Sequence, residues 1–129
     1  MKNIFLGFMQ ISFLVLLLLA LNLSCKKNSD NNFCNKERII YANVAAKEGM
    51  IVHSSKYNRF AVSLVVADSN NIDTQIIGFV CSLNSDLQTV GLKVIANGTL
   101  KKFNSDENIT PEIAGQNLYY FETNQIIKK

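Results

Sequence analysis

The chain is poor in the residues on which many catalytic and metal sites depend. Its 129 residues include one histidine, one proline and three cysteines. Because a zinc site needs a cluster of His and Cys ligands, we expect no zinc centre. Histidine-dependent catalysis would rest on His53 alone, which is followed by Ser54 and Ser55. The formal net charge is only +3 and no dense basic stripe is present, so we expect no nucleic-acid partner.

What the chain does contain is a strongly apolar leader that ends at a cysteine. The basic residue Lys2 is followed by the almost wholly apolar stretch Ile4–Leu21, and then by Ser24 and Cys25. A basic start, an apolar segment and a small residue before a break are typical of a secretory signal. With the break at a cysteine, the leader resembles the lipobox signal of bacterial lipoproteins, although Asn22 stands where a Leu is usual.

The lipobox resemblance implies that Cys25 is diacylated and becomes the mature N-terminus. The protein would then be held at a membrane of the bacterial cell envelope, on the exported side. We expect a signal peptide over residues 1–24, a flexible tether over 25–32 and one domain over 33–129. The tether is rich in Asn, Lys and Ser without periodicity, which is typical of a flexible linker.

Two other interpretations of the leader stay open. Ile4–Leu23 is close to the roughly 20 apolar residues that a membrane span needs. In an uncleaved single-span protein, Lys26 and Lys27 outweigh Lys2, and the domain would lie in the cytoplasm. A plain cleaved signal would instead release a soluble product.

The two remaining cysteines form an even pair. Export places the domain in an oxidising compartment, where disulfides persist. With Cys25 assigned to the lipid, we predict a disulfide between Cys34 and Cys81. The alternative is two separate buried thiols that pack like small apolar side chains.

Downstream of the tether, alternating apolar and polar residues indicate strands separated by polar turns. The Arg59–Asp68 strand is apolar on both faces, which is typical of a covered strand. The connection Asn104–Gly115 is expected to be a loop. Arg38–His53 is expected to form one long bent strand or two strands, with a bend near Gly49. A short helix of about two turns is expected to start at Asn84 or Ser85 and to end before Gly91. The other expected strands are Arg59–Asp68, Asp73–Ser82, Leu92–Phe103 and Gln116–Ile127.

This element order predicts an all-β domain. Three strands, a short helix and two further strands follow the connectivity of an OB-fold, so the domain resembles an OB-like five-stranded barrel by topology. A hydrophobic signal helix would precede it. Regular alternation with frequent turns also fits an immunoglobulin-like β-sandwich.

Motifs for metal binding and catalysis are incomplete. Asp68–Asp73 begins like a calcium loop, but Asp73 occupies the glycine position and Phe79 the position of the bidentate Glu, so a hairpin turn is the better interpretation. The acidic loop Asn104–Asn108 is expected to be solvated. No serine lies in a Gly-x-Ser-x-Gly elbow. We therefore expect no metal, no cofactor and no catalytic residues.

Aromatic residues provide the one indication of a binding surface. In an OB barrel the ligand surface lies on strands two and three and on the loops that join strands one–two and four–five. Tyr57, Arg59 and the Asn104–Gly115 loop would fall there, and Tyr119 belongs to an aromatic run in which at least one ring points outward. The ligand-binding candidates are therefore Tyr57, Arg59 and Tyr119. The alternative is that all three pack in the core or at its rim.

The function that the sequence favours is a lipid-anchored, non-enzymatic binding or structural module of the cell envelope. Its partners would be the membrane, through Cys25, and an envelope protein or an oligosaccharide. The rival class is a small envelope enzyme that uses His53.

Overall fold

The computed structural model describes residues 30–68 and 71–129. Within them the elements are helix α1 (Asp30–Cys34) and strands β1 (Ile40–Ser54), β2 (Arg59–Asp68), β3 (Asn71–Val80), β4 (Lys93–Lys101) and β5 (Gln116–Lys128). The predictions about the signal helix, the lipid on Cys25 and the uncleaved span lie outside the described residues. In the part that is described, no helix has the length and apolar character needed to cross a membrane.

The five strands close into a barrel in the order β1-β2-β3-β5-β4, with β4 pairing back to β1. All neighbouring pairs are antiparallel except β3 and β5, which run parallel. The all-β class and the OB-like barrel are therefore confirmed. The sandwich alternative is wrong, because the sheet closes on itself instead of forming two packed layers.

β1 is a single bent strand shared between two neighbours. Its first part pairs with β4 and its last part with β2, and Gly49 pairs with a residue of each. A side chain at Gly49 would place its Cβ 2.7 Å from Val62 Cγ1, so only glycine fits this crossing. A bulge lies just before it, where Ala46 takes a positive φ of 47° and donates its N–H to Asn97 Oδ1 at 2.7 Å. Of the two predicted alternatives, one bent strand is correct.

The barrel interior is filled by alternate residues of the strands, as half-buried strands require. Phe121 of β5 is 1% exposed and approaches Gly78 so closely that a Cβ there would lie 2.8 Å from the Phe121 Cβ. The buried interior side chains are Val44, Ile51, Val62, Leu64, Ile76, Val80, Leu83, Leu87, Val94, Ala96, Leu100 and Phe121.

The helix predicted between β3 and β4 is shorter than expected. The structure has a single 3-10 turn, Ser85–Leu87, in place of two α-helical turns. The Asn84 side chain makes no capping hydrogen bond, and Thr89 N–H already bonds back to Leu87 O, so the chain leaves the helix after one turn. Leu87 is nevertheless buried against the interior side chains, so this turn packs on the barrel core.

A short helix spans the boundary predicted between the tether and the domain. Helix α1 includes residues 30–32, the last three of the predicted tether. Cys34 at its end is joined to Cys81, just after β3, with a Cα–Cα distance of 5.3 Å. The predicted disulfide is therefore present, and it ties the N-terminal segment to the barrel.

Candidate ligand-binding cleft

The outer face of the barrel carries a second apolar cluster, separate from the interior. Ala61, Ile77 and Phe79 are at most 5% exposed, although they point away from the barrel axis. This explains the strand that is apolar on both sides: β2 packs inward with Val62 and Leu64 and outward with Ala61. The residues that cover the outer cluster come from α1, from β1 and β5 and from the loops, and they are Phe33, Val52, Tyr57, Phe103, Ile109 and Leu118.

A buried ion pair holds this covering layer together. Arg38 is 8% exposed, and its guanidinium donates to both carboxylate oxygens of Glu107, at 3.0 and 2.5 Å, and to Phe33 O at 2.7 Å. The guanidinium also lies 4.3 Å from the Tyr120 ring centre, within cation–π range. Glu107 in turn accepts the Asn104 backbone N–H at 2.8 Å. The segment after α1 and the loop before β5 are thus locked to each other.

The environment of Glu107 determines its titration. Burial raises the pKa of the carboxyl, but the hydrogen bonds and positive charge of Arg38 and the Asn104 N–H outweigh it, and the net pKa is lowered below 4.5. The prediction that Asn104–Asn108 is a solvated acidic loop is therefore wrong for Glu107. It holds for Asp106, whose side chain is 68% exposed in its pair with Lys36.

The turn between β1 and β2 is tied to the loop before β5. Tyr57 Oη donates to Thr110 O at 3.0 Å and accepts the Thr110 N–H at 2.8 Å. Lys56 Nζ reaches Thr110 Oγ1 at 2.6 Å. Burial raises the pKa of Tyr57, but the bonds from Thr110 and Lys56 outweigh it and the net pKa is lowered. A second hydrogen bond ties the end of β1 to the same loop: the Ser54 hydroxyl donates to Glu112 Oε1.

Between this tied loop and the outer face lies a cleft of about 270 Å³. Its floor is apolar and largely aliphatic, with Val52, Ala61, Ile77, Phe79 and Leu118. Its ends are polar. At one end the Ser54–Glu112 pair stands beside Tyr57; at the other, Gln116 Nε2 donates to Gln75 Oε1 at 3.1 Å, and Gln75 Nε2 donates to Ser63 Oγ at 2.9 Å. Ile113 stands on the rim, 65% exposed.

The three predicted ligand-binding residues are not brought together. Tyr57 lines the cleft, with its ring edge-on to Phe79 at 5.6 Å. Arg59 borders a different depression beside the disulfide, with its guanidinium 4.0 Å from the Phe33 ring centre. Tyr119 is half-buried against the interior cluster, and its ring stacks on the exposed ring of Tyr41 at 4.3 Å. Burial and a hydrogen bond with Tyr41 raise the pKa of Tyr119 to about 12. Of the three, only Tyr57 contributes to the cleft.

His53 borders the cleft, but its ring faces elsewhere. The ring packs edge-on against Phe60 at 4.9 Å, and Phe60 belongs to the interior side of the barrel. Neighbouring residues of a strand point to opposite faces, which separates the His53 ring from Ser54. Among the described residues, His53 makes no hydrogen bond to Ser54 or Glu112. A serine nucleophile needs an adjacent general base, and His53 is not placed to act as that base for Ser54.

The described residues contain no group of three His, Cys, Asp or Glu side chains that would hold a metal ion. The sequence placed the Asn104–Gly115 loop on the ligand surface, and Glu112 and Ile113 of that loop line the cleft. It did not reveal the contact of Glu112 with Ser54, since these residues are 58 positions apart. It also missed Glu107, although the Asn104-x-x-Glu107 spacing is a recognisable capping-box pattern.

No family model matches the chain, and no curated protein matches its sequence.

Proposed function

We propose that the chain is an exported, lipid-anchored binding module of the bacterial cell envelope. Cys25 carries the lipid, and the cleft on the outer face of the barrel receives an apolar group presented by another envelope molecule. The observation that carries the binding role is the apolar cleft floor between two hydrogen-bonding ends. Ligand sites commonly combine an apolar lining with a few placed polar groups.

The form of the cleft favours an apolar side chain of a protein over a sugar ring. Sugars stack on the faces of exposed aromatic rings, but the floor is mostly aliphatic, and Phe79 is 2% exposed. At about 270 Å³ the cleft has room for one large side chain. Gln75, Gln116 and Glu112 are then placed to bind the backbone amides on either side of that side chain.

The size of the cleft predicts weak binding, and this is where the lipid anchor contributes. Burying one large apolar side chain is worth about 1.5–3 kcal/mol, and each added hydrogen bond about 1 kcal/mol. Because association also costs at least about 4 kcal/mol of translational and rotational freedom, the complex is expected to be millimolar or weaker. Confinement to one membrane supplies an effective concentration of that order, so a weak cleft is useful to a tethered protein.

Methyl NMR of the mature protein in detergent tests the cleft. We expect N-acetyl-leucinamide to give saturable shifts at Val52, Ile77 and Leu118, with interior methyls such as Ile51 unmoved. N-acetylglucosamine is titrated in the same way and represents an oligosaccharide ligand. If only the sugar causes shifts, the ligand of the cleft is a carbohydrate and not a protein side chain. No saturable shift from either compound would contradict the binding role of the cleft.

The anchor has an independent test. The intact mass of the protein purified from membranes should correspond to a chain that begins at Cys25 and carries acyl groups. A chain that retains Met1 would contradict the lipoprotein assignment and favour the uncleaved span. A chain that begins at Cys25 without acyl mass would indicate a plain cleaved signal.

A catalytic role has less support. It rests only on the presence of His53, Ser54 and Glu112 along one side of the cleft, and the His53 ring packs on Phe60 instead of facing the hydroxyl.

A further inference from the structure

Three consecutive large apolar residues are exposed where the chain enters β1. Ile39 is 74% exposed, Ile40 62% and Tyr41 48%. We refer to these three consecutive residues as the Ile39–Tyr41 patch. The other large hydrophobic residues exposed in the described part of the chain are isolated, and they are Met50, Val90, Ile113 and Ile127. Single exposed apolar residues are ordinary, whereas contiguous ones mark an interaction surface.

The fold holds this patch rigidly on the surface. Lys102 N–H donates to Ile39 O at 2.9 Å, and Ile40 pairs with Lys101 of β4. A register shift between Ile40 and Ala42 follows, and the Tyr41 ring stacks on Tyr119 at 4.3 Å. The patch is therefore part of the barrel wall, and its exposure is not a consequence of a loose terminus.

The composition around the patch suits a lipid surface. The Lys102 amino group lies 5.8 Å from the centre of the Tyr41 ring. Tyrosine and lysine next to aliphatic side chains are typical of a membrane interface, where the aliphatic groups enter the acyl region and the polar ends stay at the headgroups. The amino group of Lys102 would there meet lipid phosphate.

The position of the anchor brings this surface within reach of a bilayer. The described chain begins at Asp30, five residues after Cys25. Five residues span at most about 18 Å when fully extended. α1 itself is fixed to the barrel by the Cys34–Cys81 disulfide and by the Arg38 contacts just before the patch. A lipid on Cys25 therefore keeps the whole domain close to the membrane.

We propose that the Ile39–Tyr41 patch is a membrane-contact surface that enters the lipid interface when the acylated Cys25 is in the same bilayer. This inference rests on the proposed lipid anchor.

The chain contains no tryptophan, so a single introduced tryptophan is a unique fluorescent reporter. Ile40→Trp places it in the patch. Val90→Trp is the matched control, because Val90 is about as exposed as Ile40, at 64%. Val90 lies beside the last part of β1 and not beside its start, since the N–H of the next residue, Gly91, bonds to Ile51 O. Both acylated variants are reconstituted into vesicles of phosphatidylcholine and phosphatidylglycerol, with and without bromine on the acyl chains.

We expect the Ile40→Trp emission to shift to the blue and to be quenched by brominated lipid, with Val90→Trp resembling a reporter in water. Equal quenching at both positions, or quenching at neither, would overturn the inference. Thermal unfolding of both variants checks that the fold is intact. Because acyl mass on Cys25 is measured on the same samples, an acylated protein without quenching refutes the patch alone, whereas missing acylation refutes the anchor.

A second variant measures the contribution of the patch without adding an aromatic ring. Each CH2 group withdrawn from lipid changes partition about fourfold. Ile40→Ser should therefore speed transfer of the acylated protein to acceptor vesicles roughly tenfold or more, and Val90→Ser should leave it unchanged. Equal transfer rates for the two variants would contradict the proposal.

Discussion

The buried pair of Arg38 and Glu107 allows the sharpest test of the fold. Their side chains are 0% and 6% exposed, and replacing Glu107 with Gln leaves the arginine charge buried without its counter-ion. Breaking a buried pair in this way costs about 3–5 kcal/mol. Since each 1 kcal/mol shifts the Tm of a domain of this size by about 4–8 °C, we expect Glu107→Gln to lower Tm by at least about 12 °C.

The assays are thermal unfolding, which gives Tm, and denaturant unfolding, which gives the free energy, for wild type, Glu107→Gln and the matched control Asp106→Asn. Asp106 is in the same turn but exposed, so its variant should leave the unfolding midpoint nearly unchanged. The double variant Arg38→Met/Glu107→Leu should recover much of the loss, since an apolar pair avoids burying a lone charge. If Glu107→Gln were as mild as Asp106→Asn, the ion pair would not hold the covering layer.

The same carboxylate predicts a dependence of stability on pH. Its pKa is lower in the folded protein than the ordinary 4.5, so the unfolded chain binds the proton more readily. The stabilisation is then fully present above pH 4.5 and is lost as the pH falls through the lowered folded value. Unfolding midpoints measured across this acid range should fall less steeply in Glu107→Gln than in wild type. An unchanged slope would contradict the assignment.

Three further changes test other parts of the structure. The double variant Cys34→Ala/Cys81→Ala should lose about 4 kcal/mol on the chain-entropy relation for a separation of 47 residues, which denaturant unfolding measures; a loss below about 1 kcal/mol would contradict it. Phe121→Ala should cost about 3–5 kcal/mol, and a cost typical of a surface site would place this ring outside the core. Tyr57→Phe removes both bonds to Thr110, so the Thr110 amide should exchange faster with deuterium while barrel amides do not; unchanged exchange would show that other contacts hold the loop.

Much of the barrel could be predicted because strand alternation is a local property. The apolar pattern of Arg59–Asp68 indicated a strand covered on both sides, and both coverings are present in the interior and outer clusters. The two-turn helix was wrong because its end depends on backbone bonds such as Thr89 to Leu87. Residue propensities do not reveal those bonds.

The candidate site was far less predictable. In the run Tyr119–Phe121, alternation shows that neighbouring rings point to opposite faces, but not which face is inside. Because this barrel buries apolar residues on both faces, Phe121 is buried in the interior and Tyr119 is half-buried against it, while Tyr120 packs outside against Arg38. For the same reason, the strand pattern did not show which outward-facing side chains line the cleft.

By itself the sequence determined the succession of the strands along the chain and predicted the pairing of Cys34 with Cys81, because alternation is local and two cysteines remain once Cys25 is assigned to the lipid; the lipoprotein-like leader stays a prediction. Only the tertiary structure decided which residues form the cleft and which charge is buried. Ser54 meets Glu112 and Arg38 meets Glu107 across separations of 58 and 69 positions. Barrel closure and the course of the last loop create these contacts, and no local pattern in the chain encodes them.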